Sequence, residues 1–366
     1  MKEYTSESIR NVALAGHGSS GKTMLAEALL HFTGATTRLG KIEDGTTASD
    51  YDEEEVRRGI SLYTTVIPVE YKNVKINLLD TPGYNDFIGE VISALRVADG
   101  AILLVDSVAG LEVGTEIAWS YCDRFKLPRL MIINKMEREN ANFQKALASI
   151  QEYNSEVRLL PIQLPWGEKS AFQGVIDLLT MKAYKGDGKT IVDIPAEYKA
   201  AAEEAHLKLV EAAAEGEDSL MEKYFEAGEL DTEEILRGLR SVMRSGSFIP
   251  VLVSAGASEI GLQPLLDAIL ALLPSPAETS TITVTGKDGE QTISASDSGP
   301  LVAYVWKTTA DPFVGKQTFF RVYSGVFTSD TRVWNSAKNI EERIGTVSIP
   351  RGKETITAKI IHTGDI

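Results

Sequence analysis

Residues 16–23, Gly16-His17-Gly18-Ser19-Ser20-Gly21-Lys22-Thr23, read G-x-x-x-x-G-K-T, and no other stretch of the chain restricts its possible folds as strongly. An apolar run, Val12-Ala13-Leu14-Ala15, precedes the motif. Met24-Leu25-Ala26-Glu27-Ala28-Leu29-Leu30 follows it with helical spacing. A strand that turns through glycines into a helix N-terminus aims main-chain N–H groups and the positive end of the helix dipole at an anion. The spacing therefore predicts a phosphate cradle from Gly16, His17, Gly18, Ser19, Ser20 and Gly21. Lys22 would reach the terminal phosphates and the Thr23 hydroxyl would face Mg²⁺. A Gly/Ser-rich turn without chemistry is the plainer alternative, and the flanking strand and helix count against it.

The chain has 366 residues, enough for about two or three domains. Hydrophobic residues make up 43%, which supplies a sizeable core and argues against disorder. A formal net charge of −15 excludes coating of free nucleic acid by charge alone, so any RNA contact needs a local basic patch or a partner. Cys122 is the single cysteine, which rules out an intramolecular disulfide and a cysteine metal cluster. The N-terminus is polar and no apolar run reaches membrane-spanning length, so no membrane partner is expected and the cytoplasm is the expected compartment.

Continuous apolar runs at 74–79, 101–105, 129–133 and 249–253 suit a parallel sheet buried on both faces. Helical patterns at 87–98 and 112–124 lie between them. The expectation is a doubly wound α/β domain over residues 1–274. A long insertion, about 154–248, opens with strand-like pieces at 159–162 and 174–177. Further on, Tyr198, Ala202, Ala205, Leu209 and Ala212 mark one face of an amphipathic helix. Glu203, Glu204, Glu211 and Glu215 fall elsewhere on that helix, and a solvated face explains them more simply than a binding surface. Residues 262–273 read as the last helix of this domain, stopped by Pro274. Residues 275–299 form a linker or a short exposed hairpin. Residues 300–366, with β-rich runs at 301–306, 318–323 and 331–334, are expected to begin a small β-barrel that lacks a finishing strand.

Further pieces of a nucleotide site follow the strands. Asp80-Thr81-Pro82-Gly83 stands at a strand end, where Asp80 can hold the Mg²⁺ shell through water and the Gly83 N–H can approach a γ-phosphate. Asn134-Lys135-Met136-Glu137 stands where GTPases show Asn-Lys-x-Asp. Asn134 would tie loops together, Lys135 would lie along the base, and Glu137 would offer its carboxylate to the guanine edge from one methylene farther out. After the fourth run, Ser254-Ala255-Gly256 can bring a backbone N–H to the guanine O6. The charged segment 50–61 is placed as a mobile switch loop would be, with Ser61 as a second Mg²⁺ hydroxyl, although a solvated acidic loop has the same composition.

Taken together these residues resemble the translational GTPases, and most closely elongation factor G. The resemblance also covers Arg58-Gly59-Ile60-Ser61, Asp86-Phe87, 105–112, Arg138, Gln163-Leu164-Pro165, 174–178, 310–315 and 321–325. It implies binding of GTP and GDP with Mg²⁺, hydrolysis of GTP, and the ribosome as partner. It also implies that the inserted subdomain can meet the ribosomal stalk protein, and that relatives carry further domains, so that this chain is a fragment and would not carry out translocation. A monomer is expected.

Departures from the family pattern fall on the hydrolytic side. Tyr84 stands where the family has the His that positions the attacking water, and Tyr has a much higher reference pKa and a larger ring. Gly18 replaces an Ile, which removes one side of an apolar gate whose other side is Ile60. Ser19 replaces an Asp, which weakens a possible monovalent-cation site, and Ser61 replaces a Thr. A divergent branch of elongation factor G-like proteins shares the Tyr. Lys22 and Tyr84 are the candidate catalytic residues. Slow hydrolysis is the leading expectation. A nucleotide-dependent binding switch with little catalysis is the alternative, and ATP use is a third reading that leans on Glu137 alone.

Overall fold

The computed structural model describes residues 2–279, 281–286, 289–311 and 315–366. Pro312, Phe313 and Val314, part of the 310–315 match, lie outside the described residues.

Seven strands make the central sheet, in the spatial order Thr65–Tyr71, Val74–Asp80, Ile9–Gly16, Gly100–Asp106, Arg129–Asn134, Phe248–Val253 and Arg158–Pro161. Every neighbouring pair is parallel except the first, an antiparallel hairpin. Successive side chains point to opposite faces, and both faces are covered, which is why the strands read as unbroken apolar runs. Val12, Leu14, Ile76, Leu78, Ile102 and Leu104 pack beneath the helices Lys22–Phe32 and Leu262–Leu272. Ala13, Ala15, Leu79, Leu103 and Val105 pack beneath Ile88–Val97, Val113–Phe125 and Phe143–Tyr153. This is the doubly wound α/β arrangement, and the phosphate-loop motif sits at the carboxyl end of a central strand.

Of these strands, one lies outside the runs read from the sequence and one departs from its expected place. Thr65–Tyr71 carries Pro68, which argues against a central strand, but it lies on the sheet edge where a missing N–H is tolerated. Arg158–Pro161 was expected to open the insertion. It instead forms the opposite edge of the main sheet, with Arg158 to Pro161 in register with Phe248 to Val251. The chain then makes a four-stranded antiparallel sheet from Gln163–Trp166, Gly174–Asp177, Lys182–Lys185 and Ile191–Val192. The helix Ala196–Ala214 buries Ala202 and Leu209, half-buries Tyr198 and Ala205, and leaves Glu203, Glu204 and Glu211 exposed. Helices Asp218–Ala227 and Thr232–Ser245 follow, the latter started by a capping box between Asp231 and Glu234.

Beyond the helix Leu262–Leu272, a hairpin pairs Thr281–Gly286 with Gly289–Ser294. The region expected to hold a barrel contains four antiparallel two-stranded ladders: Val302–Asp311 with Gly315–Ser324, Phe327–Thr328 with Ile360–Ile361, Arg332–Asn335 with Ile340–Arg343, and Val347–Arg351 with Glu354–Ala358. They share a core of Val322, Phe327, Val347, Ile349 and Ile361, and among the described residues no ladder closes a ring. Ile360–Ile361, where no finishing strand was expected, turns back onto Phe327–Thr328.

A buried polar seam joins this β-rich region to the α/β sheet. Arg321 donates to Asp99 at 2.7 Å and to the Val97 carbonyl at 2.8 Å. Lys75, on the strand Val74–Asp80, donates to Asp365 at 2.7 Å, and Asn77 donates to the same carboxylate at 2.9 Å. Buried charges of this kind persist only when paired, so the seam fixes the two parts against each other. Among the described residues no helix is long and apolar enough to cross a membrane.

Candidate functional site

At the carboxyl ends of the sheet strands lies a cavity of about 340 Å³ lined by Gly18, Ser19, Gly21, Lys22, Thr23, Ser61, Gly83, Tyr84, Asn134, Lys135 and Glu137. Residues singled out from widely separated stretches of the sequence thus face one space. Gly21 caps the helix Lys22–Phe32 with φ +101°, in a region open to glycine but strained for other residues, and a side chain there would strike the Asn134 amide. Gly83 lies close against the loop: a Cβ on it would fall 2.5 Å from both the Gly18 nitrogen and Lys22 Nζ. Gly16, His17 and Ser20 shape the loop from behind. The His17 N–H donates to Thr115 Oγ1 at 3.0 Å, and His17 Nδ1 accepts the Gly114 N–H at 3.2 Å.

Lys22 Nζ donates to the carbonyls of Gly16 at 3.0 Å and His17 at 2.8 Å. Burial pushes its amine down to about 8, so an anionic partner would stabilise its charge. A phosphate is such a partner.

The cation side is built around two buried carboxylates. Asp80, fully buried, accepts Ser49 Oγ on one oxygen at 2.6 Å, and its Oδ1 has no hydrogen-bond partner. Asp50 has partners on neither oxygen. Burial pushes both acids above the ordinary carboxylate range, and the nearby Asp80 charge raises Asp50 further. Thr23 Oγ1 and Ser61 Oγ stand 3.1 Å apart beside them. Among the described residues no group of three or more His, Cys, Asp or Glu could hold a metal alone. A hard divalent ion fits this oxygen set when phosphate oxygens and water complete its shell.

On the base side Asn134 and Lys135 are already engaged. Asn134 donates to the Ser20 carbonyl at 3.0 Å and accepts from Ser254 Oγ at 2.9 Å and the Gly256 N–H at 3.0 Å. One amide thus joins the phosphate loop to the loop after the strand Phe248–Val253. Lys135 donates to the Ser19 carbonyl and to Asp106 at 2.9 Å. Although Asp106 is partly buried, these bonds and the Val108 N–H hold its carboxyl below the usual range. Glu137 Oε2 is shielded and unpartnered at the cavity edge. Residues 254–256 use their N–H groups within the fold. The N–H groups of Ser254, Ala255 and Gly256 bond to the Ile133 carbonyl, the Ile260 carbonyl and Asn134 Oδ1. The loop's lining residue is Ala257, one position beyond the stretch singled out.

As site residues, sequence reasoning also passed over Asp50, Ile42, Glu43, Met24 and Arg138, all at the cavity. Segment 50–61 is exposed over much of its length but is held by a short capped helix. Asp52 and Glu55 form a capping box for the helix Glu53–Arg58, and buried Glu55 accepts the N–H groups of Leu62 at 2.9 Å and Tyr63 at 3.1 Å. The D-x-x-E spacing at 52–55 is a readable signal for that box.

Tyr84 is 39% exposed and lies over the loop at Gly18. A Cβ at Gly18 would sit 3.0 Å from the phenol ring. The two departures at Gly18 and Tyr84 are therefore one: the ring occupies space that a larger residue at position 18 would need. Ile60 lines the same cavity.

A phosphate cradle at a topological switch point, with paired carboxylates and an Asn-Lys base-side motif, defines a P-loop GTP-binding domain. The family model for the elongation factor Tu GTP binding domain matches residues 7–275. The chain belongs to that family, whose members are GTP-binding domains of translation factors. A crystal structure of a protein from Thermus thermophilus is similar over 98% of this chain at 34% identity, with a TM-score of 0.87. The match covers 52% of that protein, so this chain spans about half its length.

Proposed function

We propose that the chain binds GTP and GDP with Mg²⁺ and hydrolyses GTP slowly in connection with the ribosome, as part of an elongation factor G-like translation factor of the Tyr-bearing branch. One observation carries most weight: unpartnered Asp50 and Asp80 oxygens lie beside the Thr23 and Ser61 hydroxyls at the mouth of a phosphate loop. Thr23, Ser61, Asp50 and Asp80 would hold the ion, directly or through water. Bound there, Mg²⁺ would neutralise charge on the β- and γ-phosphate oxygens.

In this reading the chain's own groups do the positioning. Lys22 leaves the Gly16 and His17 carbonyls for the phosphates, and its charge is retained by them. Main-chain N–H groups of the loop and of Gly83 surround the γ-phosphoryl. Water attacks phosphorus, the bond to the bridging oxygen breaks, and GDP and inorganic phosphate leave. The Tyr84 hydroxyl can orient that water but, as a phenol in place of an imidazole, contributes little as a base. Glu137 accepts from the guanine edge.

Isothermal titration of the chain with GDP, GTP and ATP in magnesium buffer tests the binding. Guanine nucleotides should bind and ATP should not compete at equal concentration; equal displacement by ATP would refute guanine selectivity. Single-turnover phosphate release with and without ribosomes separates a GTPase from the alternative, a guanine-nucleotide-dependent ribosome-binding switch, which Tyr84 favours. Tyr84→His should raise ribosome-stimulated release. No rise would mean that Tyr84 already suffices or that another residue orients the water.

A further inference from the structure

Asp50 and Ser61 stand on a long connection, residues 40–64, whose anchors lie mostly outside the cavity. Glu27, buried in the helix Lys22–Phe32, accepts the Ala48 N–H at 2.6 Å. The β-rich region supplies two more anchors. At the first, Lys307 Nζ donates to the Thr64 carbonyl at 2.7 Å and to Glu90 Oε2 at 3.0 Å. Glu90 in turn accepts the Thr64 N–H at 2.7 Å and, through its carbonyl, Thr64 Oγ1 at 3.1 Å. The Lys307 side chain is 8% exposed, and its ammonium lies 5.2 Å from the Tyr63 ring centre. Thr64 is thereby fixed on three sides, and Glu90 belongs to the helix Ile88–Val97 that follows Gly83 and Tyr84.

At the second anchor, the tip of the hairpin Val347–Arg351/Glu354–Ala358 packs on Ala48 within the connection and bonds to the backbone on either side of it. The Gly352 N–H donates to the Val66 carbonyl at 3.1 Å, and Arg351 donates to the Ala35 carbonyl at 3.3 Å. Gly352 has φ +57°, and any side chain on it would collide with the Ala48 carbonyl. Only a glycine lets the hairpin tip approach so closely.

Ala48 precedes Asp50 by two positions and Thr64 follows Ser61 by three. The two anchors bracket the cation-side residues. A segment gripped at both ends has few conformations left between them, whereas one grip leaves a hinge. We propose that Lys307 and Gly352 are positioning residues, through which the β-rich region holds Asp50 and Ser61 in the geometry that receives the divalent ion. The proposal rests on the nucleotide reading above for its consequence, not for its geometry.

Hydrogen exchange on the nucleotide-free full chain tests it directly. In Lys307→Met, amides of residues 47–64 should exchange about tenfold faster, the scale of one lost charge-assisted bond. Gly352→Ala should do the same, while Lys307→Arg should restore most of the protection. The strand Ile9–Gly16 should stay unchanged in all three. Unchanged exchange at 47–64, or acceleration spread evenly over the chain, would overturn the proposal. With a fluorescent GDP, Lys307→Met should also release nucleotide faster and need more Mg²⁺ to retain it. A wild-type chain that takes up no fluorescent GDP would refute the guanine-nucleotide reading, and the exchange result would still decide this one.

Discussion

The two ends of the cavity are built on opposite principles. At the base end Asn134 holds three partners and Lys135 two, and Glu137 keeps one carboxylate oxygen unpartnered. At the cation end, Asp50 has no partner on either oxygen and Asp80 none on one. Satisfied polar networks rigidify, and unsatisfied buried acceptors are costly. Asn134 and Lys135 are therefore finished pieces of the fold, while the open Glu137 oxygen stays at the cavity edge. The cation end holds two buried acids whose charges a bound cation would relieve. Binding free energy from that relief depends on the ion, whereas base recognition does not.

The largest effect should come from the group that faces both ends. Lys22→Met removes the cation aimed at the phosphates, and nucleotide affinity should fall more than about a hundredfold by calorimetry. Stability should hold, because the lost ammonium is buried and its amine is already pushed down to about 8. A collapse of the fold would show that Lys22 is structural first. Asp50→Asn comes next. It should raise the Mg²⁺ concentration needed to retain GDP by about tenfold and, in the metal-free chain, raise the melting temperature. A lower melting temperature without metal would mean that the carboxylates are not the unfinished side of the site. Ser254→Ala probes the base end. It removes one bond to Asn134 and should lower stability by about 1 kcal/mol, leaving the Mg²⁺ requirement where it was.

That division also explains what could be read without coordinates. The phosphate loop, Asp80 to Gly83 and Asn134 to Glu137 are compact motifs at strand ends, where fixed spacing and parallel-sheet geometry settle their placement together. Asp50 has no such frame. Its position comes from Glu27, Ser49 and the capped helix Glu53–Arg58, contacts that are scattered along the chain. Ala257, beyond the stretch Ser254-Ala255-Gly256, lines the cavity, and a backbone bridge between Ala255 and Ile260, five residues apart, had no sequence signal. Lys307 and Gly352 carried no signal, since a lysine in a strand and a glycine in a hairpin are ordinary. Only their distant partners, Thr64 and Ala48, give them meaning. The edge strand Thr65–Tyr71 lay outside the runs read from the sequence, and it carries Pro68, whose absent N–H an edge position tolerates.

The smallest expected effect concerns Gly18, which touches neither end's polar machinery. An added methyl at position 18 would come within 3.0 Å of the Tyr84 ring, tighter than ordinary contact. The ring is partly exposed, so it can swing outward instead of straining the loop. Gly18→Ala should therefore change GDP affinity by less than about threefold, the range of a side-chain adjustment near ~0.5 kcal/mol. Phosphate release should respond more, because the displaced phenol no longer lies over the γ-phosphate side of the loop. If release is unchanged while the Tyr84 ring has moved, by fluorescence or by a second structure, then Tyr84 plays no part in orienting water. The pairing of Gly18 with Tyr84 would then be a packing relation alone. If release falls in Gly18→Ala and recovers in Gly18→Ala combined with Tyr84→His, the ring's placement is what the glycine protects.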